Sequence, residues 1–189
     1  MSKDPETQEF IMVTYYGNEG DLRNYLQNNY NNLSWKDKIE LLYVISNNLK
    51  NLHKLGYCHN NFHNGNILLD SKYTLINFRL TRLTASNDKG FGVLTYVAPE
   101  ILNGESCSLA SGIYGVIMTE LSSGKPPFSN MEHDMYLALE ICGGLRPEFE
   151  KRTPEIYKEL AKIKGLQQKN YIKYLSFGII VLLETVLKM

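Results

Sequence analysis

The sequence predicts a mainly α chain of the α+β class, a helical bundle carrying short β-hairpins. Three patterns carry that expectation. A long stretch after residue 34 repeats its apolar residues at helical spacing behind a capping signal, and a middle stretch breaks into short apolar runs split by polar turns. The second half then alternates helix-length apolar segments with glycine and proline stops. Apolar residues make up 43% of the 189, enough to bury a core and too many for a disordered chain.

In chain order, residues 9–16 (EFIMVTYY) are aromatic and β-branched and read as a strand, broken by Gly17 to Gly20. Asp21 suits the cap of a short helix, LRNYL, and the asparagine cluster from Asn28 to Asn32 reads as a loop. Ser34 with Asp37 makes an S-x-x-D capping pattern. Behind it Trp35, Ile39, Leu42, Ile45, Leu49 and Leu52 recur every three or four residues, and Gly56 suits the helix end. From Tyr57 to Arg82 the runs NILLD and YTLINF predict small strands and hairpins.

Ser108 to Ser123 is expected to be helical, ending at Gly124 before Pro126 and Pro127. Ser129 with Glu132 is read as the cap of a helix reaching Cys142, closed by Gly143 and Gly144. Thr153 followed by Pro154 reads as a cap with proline in the first turn, leading to Lys164. Residues 167–189 read as helical. The apolar part of Tyr174 to Met189 runs about ten residues before Glu184, against the ~20 of a spanning helix. A buried or amphipathic terminal helix is therefore favoured over a tail anchor.

Twenty basic and twenty acidic side chains cancel, which argues against nucleic acid or an anionic membrane as the main partner. Three cysteines, Cys58, Cys107 and Cys142, are odd in number and lack metal-like spacing, and the polar amino terminus lacks a signal-peptide stretch. A reducing, cytoplasmic setting follows.

The densest polar segment is His59 to Asn66, HNNFHNGN. Two histidines four apart could hold a metal on a helix face, but the asparagines and glycine favour a loop without a carboxylate or cysteine to join them. That loop resembles the catalytic loop of protein kinases, His-Arg-Asp followed by four residues and Asn. Here His59-Asn60-Asn61 is followed by four residues and Asn66, then by Ile67-Leu68-Leu69, which look like the family's next strand. Eleven residues after Asn66 stands Asn77-Phe78-Arg79 where the family has Asp-Phe-Gly, and Val97-Ala98-Pro99-Glu100 keeps Ala-Pro-Glu intact. Ser111 to Phe128 is similar to the central C-lobe helix and its following turn. Asp134 to Leu139 and Gly144 to Pro147 look like the tyrosine-kinase-like subgroup.

The resemblance implies a kinase C-lobe over residues 1–163, with the N-lobe largely absent, and a diverged apolar helix over 164–189. Ile11-Met12-Val13 resembles the last N-lobe strand, with Thr14 at the gatekeeper position and Tyr15-Tyr16-Gly17 at the hinge. Carried over, Tyr15 and Gly17 would face adenine and Leu68 would form its floor; ordinary strand and core roles are the equal alternative. About eight residues precede that strand, leaving no room for a Gly-rich lid, the phosphate-pairing lysine or its glutamate.

The resemblance implies ATP and magnesium as cofactors, but the chemistry is depleted. Asn61 replaces the proton-accepting Asp, and an amide is no base near neutral pH. Asn66 matches the metal-binding Asn, while Asn77 replaces the metal-binding carboxylate. Arg79 replaces the loop glycine and is expected to face solvent. Gly112-Ile113-Tyr114-Gly115 has lost an Asp and two residues from the central helix pattern, which would turn its stripe by about 200°. Glu100 lacks the family's later arginine partner, and Ser176 to Ile180 resembles the missing piece by chance. His59 and Phe78 match two members of the family's hydrophobic spine and are read as core filling.

The expected function is thus a truncated, catalytically inactive kinase-like domain that binds or scaffolds in signalling. Its expected partner is a protein such as a full-length kinase relative, contacted by the helix from Asn130 to Cys142 or a bare sheet edge. Phosphate transfer from ATP to protein Ser, Thr or Tyr is the alternative, and a non-functional gene fragment the third.

Overall fold

The computed structural model describes residues 2–11, 17–59, 61–70, 73–76, 81–83, 93–104, 114–162, 178, 179 and 181. Strand β1 (Ser2–Lys3) pairs antiparallel with β2 (Phe10–Ile11), so part of the polar amino terminus, which the sequence reading left without structure, forms a short ladder. Of the strand expected over 9–16, residues 12–16 lie outside the described residues.

Helix α1 (Leu22–Asn29) starts where expected, because the Asp21 carboxylate accepts from Asn24 N–H at 2.8 Å. The asparagine cluster is not a plain loop. Asn28 and Asn29 finish α1, and Tyr30–Asn32 adds a 3₁₀ turn. The apolar side chains Leu22 and Leu26 hold α1 in the core and override the local turn preference of asparagine.

Helix α2 (Trp35–Lys54) is the central element. Ser34 Oγ accepts from Asp37 N–H, and Asp37 accepts from Ser34 N–H at 2.8 Å, the reciprocal cap the S-x-x-D pattern predicts. Ile39, Leu42, Ile45, Leu49 and Leu52 form its buried stripe. Each such side chain contributes about 1.5–3 kcal/mol of burial free energy.

Short strands follow. β3 (Tyr57–His59) pairs antiparallel with β6 (Thr81–Leu83), and β4 (Ile67–Asp70) with β5 (Tyr73–Ile76), as the broken apolar runs predict. Both β3 and β5 lie against α2. The single-turn helix α3 (Pro99–Leu102) comes next, then α4 (Tyr114–Ser123). Every residue from Val116 to Ser122 is buried, so α4 is wrapped on all sides. Expected helix start 108 and the altered Gly112-Ile113 segment lie outside the described residues.

Gly124 ends α4 at φ +69°, and a Cβ there would stand 2.6 Å from the Tyr30 ring. Tyr30 in turn donates its hydroxyl to the Ser122 carbonyl. Two independent constraints therefore demand glycine at this corner.

Helix α5 (Met135–Cys142) begins later than the sequence reading places it. Ser129 is not its cap. Asp134 accepts from Tyr136 and Leu137 N–H at 3.0 and 3.1 Å, while the preceding residues turn back on themselves through Met131 N–H to the Phe128 carbonyl. An aspartate next to the first apolar turn outcompetes a serine five residues upstream. Helix α6 (Glu155–Lys162) follows Pro154 as expected, but the buried Thr153 hydroxyl makes no capping bond. The Pro154 carbonyl instead accepts from Tyr157 and Lys158 N–H.

One core joins α1, α2, β4, α4 and α6. The fully buried Tyr157 ring meets Trp35 edge-on at 5.1 Å, and its hydroxyl donates to the Met118 carbonyl at 2.9 Å. Ile179 is fully buried in this same core, and Gly178 passes so close to Leu160 that a Cβ would stand 2.5 Å from it. The rest of the expected terminal helix lies outside the described residues. Among those described, no helix is long and apolar enough to cross a membrane. A smaller cluster, Phe128, Leu137 and Ile141 with Leu102 and Leu145, ties α5 to α3.

Candidate functional site

The polar loop 59–66 leaves β3 and enters β4, and its backbone is fixed largely by its own side chains. His59 is buried and sets its ring edge-on to Phe62 at 5.6 Å. Asn61 N–H donates to His59 Nδ1 at 3.3 Å. Asn66 N–H donates to the His63 carbonyl at 2.9 Å, closing the 3₁₀ turn Asn64–Asn66, and Asn66 Nδ2 donates to the Asn61 carbonyl at 2.9 Å. The two asparagines singled out by spacing are thus brought together.

His63 closes the same loop from inside. Gly65 N–H donates to His63 Nδ1 at 3.1 Å, and Asn66 Nδ2 lies 3.0 Å from His63 Nε2. Burial, then the Arg23 charge, holds the His63 imidazole below its ordinary pKa and therefore neutral near pH 7. A neutral imidazole has one lone pair and one N–H. Gly65 and Asn66 both offer donors to it, so the ring satisfies one of them at a time, and the Asn66 amide orientation is tied to its tautomer.

Behind the loop lies a buried polar cluster that motif reading missed. The Tyr96 ring sits 5.7 Å from that of His63, and its hydroxyl donates to Glu120 Oε2. Glu120 is 2% exposed in the middle of α4. Burial pushes its carboxyl up to about 7; the Tyr96 hydrogen bond, the Arg23 charge and the Asn64 amide pull the other way and only partly offset it. Tyr96 is pushed well above its usual range by the same burial and by Glu120. Asn64 is fully buried and faces Glu120 from outside hydrogen-bond geometry, leaving both its amide atoms, like Arg23 Nε, without a hydrogen bond. A single acid inside the apolar run VIMTEL was the sequence signal for this cluster.

Of the positions that the resemblance assigns to adenine, Gly17 and Leu68 lie close together. Leu68 lies in β4, and a Cβ on Gly17 would stand 3.1 Å from Leu68 Cβ and 2.9 Å from the Leu69 carbonyl oxygen. The chain therefore passes β4 closely only because residue 17 is glycine. Thr14, Tyr15, Asn77, Phe78 and Arg79 lie outside the described residues. Glu100 sits in the first turn of α3 with no ion pair to another described residue.

Residues 3–173 match the family model described as protein tyrosine and serine/threonine kinase. The chain belongs to this protein kinase family. It is 30% identical over 159 residues to a serine/threonine-protein kinase/receptor, R831, of Acanthamoeba polyphaga mimivirus, covering 80% of this chain and 10% of that protein. A serine/threonine-protein kinase of Dictyostelium discoideum is 28% identical over 161 residues, 81% of this chain and 10% of the relative. The kinase roco9 of the same organism is 29% identical over 167 residues, 82% of this chain and 5% of the relative. The chain thus spans a tenth or less of the length of these curated relatives.

Kinases work with ATP and magnesium, and the loop's donors bear on the metal of that pair. Magnesium is held by hard anionic oxygens, usually one or two carboxylates. Residues 59–66 contain none; they offer amide oxygens of Asn61 and Asn66. Among the described residues no three His, Cys, Asp or Glu side chains converge on a metal position. Position 77, where the resemblance expects the anionic ligand, is asparagine in the sequence and lies outside the described residues, so the donors the chain offers there are amides rather than the carboxylates magnesium prefers.

Proposed function

We propose that this chain is an inactive kinase domain of the tyrosine-kinase-like subgroup, a pseudokinase that works by binding a protein in the cytoplasm. The observation that carries the reading is the loop itself. At the position where a kinase needs a carboxylate to take the substrate hydroxyl proton stands Asn61, whose side chain is an amide and no base near neutral pH, while its backbone carbonyl accepts from Asn66 Nδ2. Of the two imidazoles in the loop, His59 accepts from Asn61 N–H at Nδ1, and the one lone pair of neutral His63 is contested by Gly65 N–H and Asn66 Nδ2. Among the described residues of the loop no carboxylate stands ready to take that proton.

Among the described residues one core joins α1, α2, β4, α4 and α6 around that loop, which suits a binding role. A full-length kinase relative is the partner class this reading favours. Cys142 carries a free thiol, in keeping with a reducing compartment.

A thermal melt of the 189-residue chain with magnesium–ATP tests the reading, since a ligand at ~100 Kd adds ~2.7 kcal/mol of stability. The proposal expects a cooperative melt to which magnesium adds nothing beyond ATP alone. A magnesium-dependent upward shift would mean that the loop holds the metal, and the inactive reading would fall.

A further inference from the structure

Helix α5 is apolar on both faces. Its inner side chains Leu137 and Ile141 pack with Phe128, Leu102 and Leu145. On its outer face Met135, Tyr136 and Leu139 are 74%, 77% and 62% exposed. A helix apolar all round is normally enclosed, and the i, i+1, i+4 placement of these three makes one continuous patch rather than scattered single residues. The fold needs none of them, because the inner face already anchors α5 to α3.

Charge narrows what could cover this face. No lysine or arginine occurs between Lys125 and Arg146, whereas Glu132, Asp134 and Glu140 all stand exposed around the patch. Arg146, the nearest cation in sequence, is turned onto the backbone, donating from Nη1 to the Ile141 and Leu145 carbonyls at 2.9 and 2.6 Å. Along the chain the described residues flanking the patch are therefore acidic. Methionine at position 135 adds a flexible, polarizable contact that adapts to different apolar shapes.

We propose that the outer face of α5 is a docking surface for a protein segment that presents apolar anchors flanked by lysine or arginine. The inference rests on the protein-binding reading above and names the chemistry of the partner. Apolar burial would supply the affinity, and the acidic rim would select the basic segment and speed its association.

The test uses the full chain, without nucleotide, and two labelled 18-residue peptides that share a Leu/Phe face at i, i+3, i+4 spacing. One carries Lys and Arg at its flanks, the other Glu. Fluorescence anisotropy should give binding of the basic peptide at least about tenfold tighter than the acidic one, weakening as salt rises. Met135→Ser with Leu139→Ser should abolish it without changing the melt, and Glu132→Lys with Glu140→Lys should reverse the preference.

Equal binding of both peptides, binding that survives the serine variants, or no binding of the basic peptide at 1 mM would each overturn the proposal. A chain that dimerises alone through this face, and becomes monomeric in the serine variants, would assign the surface to a second copy and overturn it too. None of these results bears on phosphate transfer, so the docking proposal and the inactive reading fail separately.

Discussion

Glu120 gives the most direct check on the buried cluster, through the substitution Glu120→Gln. The glutamine keeps an oxygen that can accept from the Tyr96 hydroxyl and removes the titration. In the folded chain the carboxyl is pushed from 4.5 up to about 7, with burial as the largest cause. Below the unfolded value the group is protonated in both states and adds no pH dependence. Between that value and about 7 the folded chain keeps a proton that the unfolded chain has released, so stability falls as pH rises. At about 1.4 kcal/mol per pH unit the loss totals roughly 3 kcal/mol and is complete above the folded value. For a chain of this size that is a Tm difference on the order of 6–12 °C.

His53 works against this in the parent chain. Burial, with the His59 charge, pushes its imidazole down to about 4, so stability is lost as pH falls below the ordinary histidine value of 6.5. The parent curve is therefore expected to be shallow across the overlap. The difference between Glu120→Gln and the parent removes the histidine contribution. Melts at several pH values from 4.5 to 8 should show the variant gaining on the parent by about 3 kcal/mol. A difference that stays flat within about 0.5 kcal/mol across that range, against the ~3 kcal/mol expected, would refute the argument that Glu120 is held uncharged by burial.

The remaining expectations are local. Nitrogen-15 spectra of His63 should show one neutral tautomer at pH 7, and Asn66→Ala, which frees Nε2 from its competing donor, should leave Nδ1 accepting from Gly65; a protonated ring at pH 7 would contradict the geometry. Gly124→Ala should cost about 1–3 kcal/mol, since it meets both a positive φ and the Tyr30 ring; a change below ~0.3 kcal/mol in denaturant unfolding would remove that corner's importance. Asp134→Ala should cost ~1 kcal/mol and Ser129→Ala almost nothing, and the opposite order in the same assay would return the α5 cap to Ser129.

Much of the fold was legible because its signals are local. The Ser34–Asp37 cap and the stripe from Ile39 to Leu52 fix α2 within a few residues, and the broken runs after Tyr57 give the β4–β5 hairpin and the short strands of the β3–β6 pair. The errors have a common cause in competition between adjacent signals. Ser129 and Asp134 both precede an apolar turn, and only the backbone path through Phe128 decides between them. Asn28 and Asn29 prefer turns, yet Leu26 and Leu22 pull them into a helix.

The site divides in the same way. Motif spacing placed Asn61 and Asn66 in one loop, and in the structure Asn66 Nδ2 donates to the Asn61 backbone carbonyl. The resemblance assigned Gly17 and Leu68 to an adenine pocket, and in the structure these two residues lie in near contact. The spacing could not show that His63 would fold back on Gly65 and Asn66. Nor could it show that Tyr96, Arg23, Asn64 and Glu120 would meet, because these residues come from four separate segments and only three-dimensional packing joins them. Charge patterning offered one usable hint, the lone acid in α4.

The central claim is that this kinase-family loop cannot accept a proton from a substrate hydroxyl. The measurement that tests it most directly is phosphate transfer by the full chain from γ-labelled magnesium–ATP to itself and to mixed Ser, Thr and Tyr peptides. Mass spectrometry of the products should find no phosphate transferred beyond a chain-free control. Multiple turnovers of phosphate that disappear in Asn66→Ala would contradict the account, and would mean that the loop does chemistry without its carboxylate.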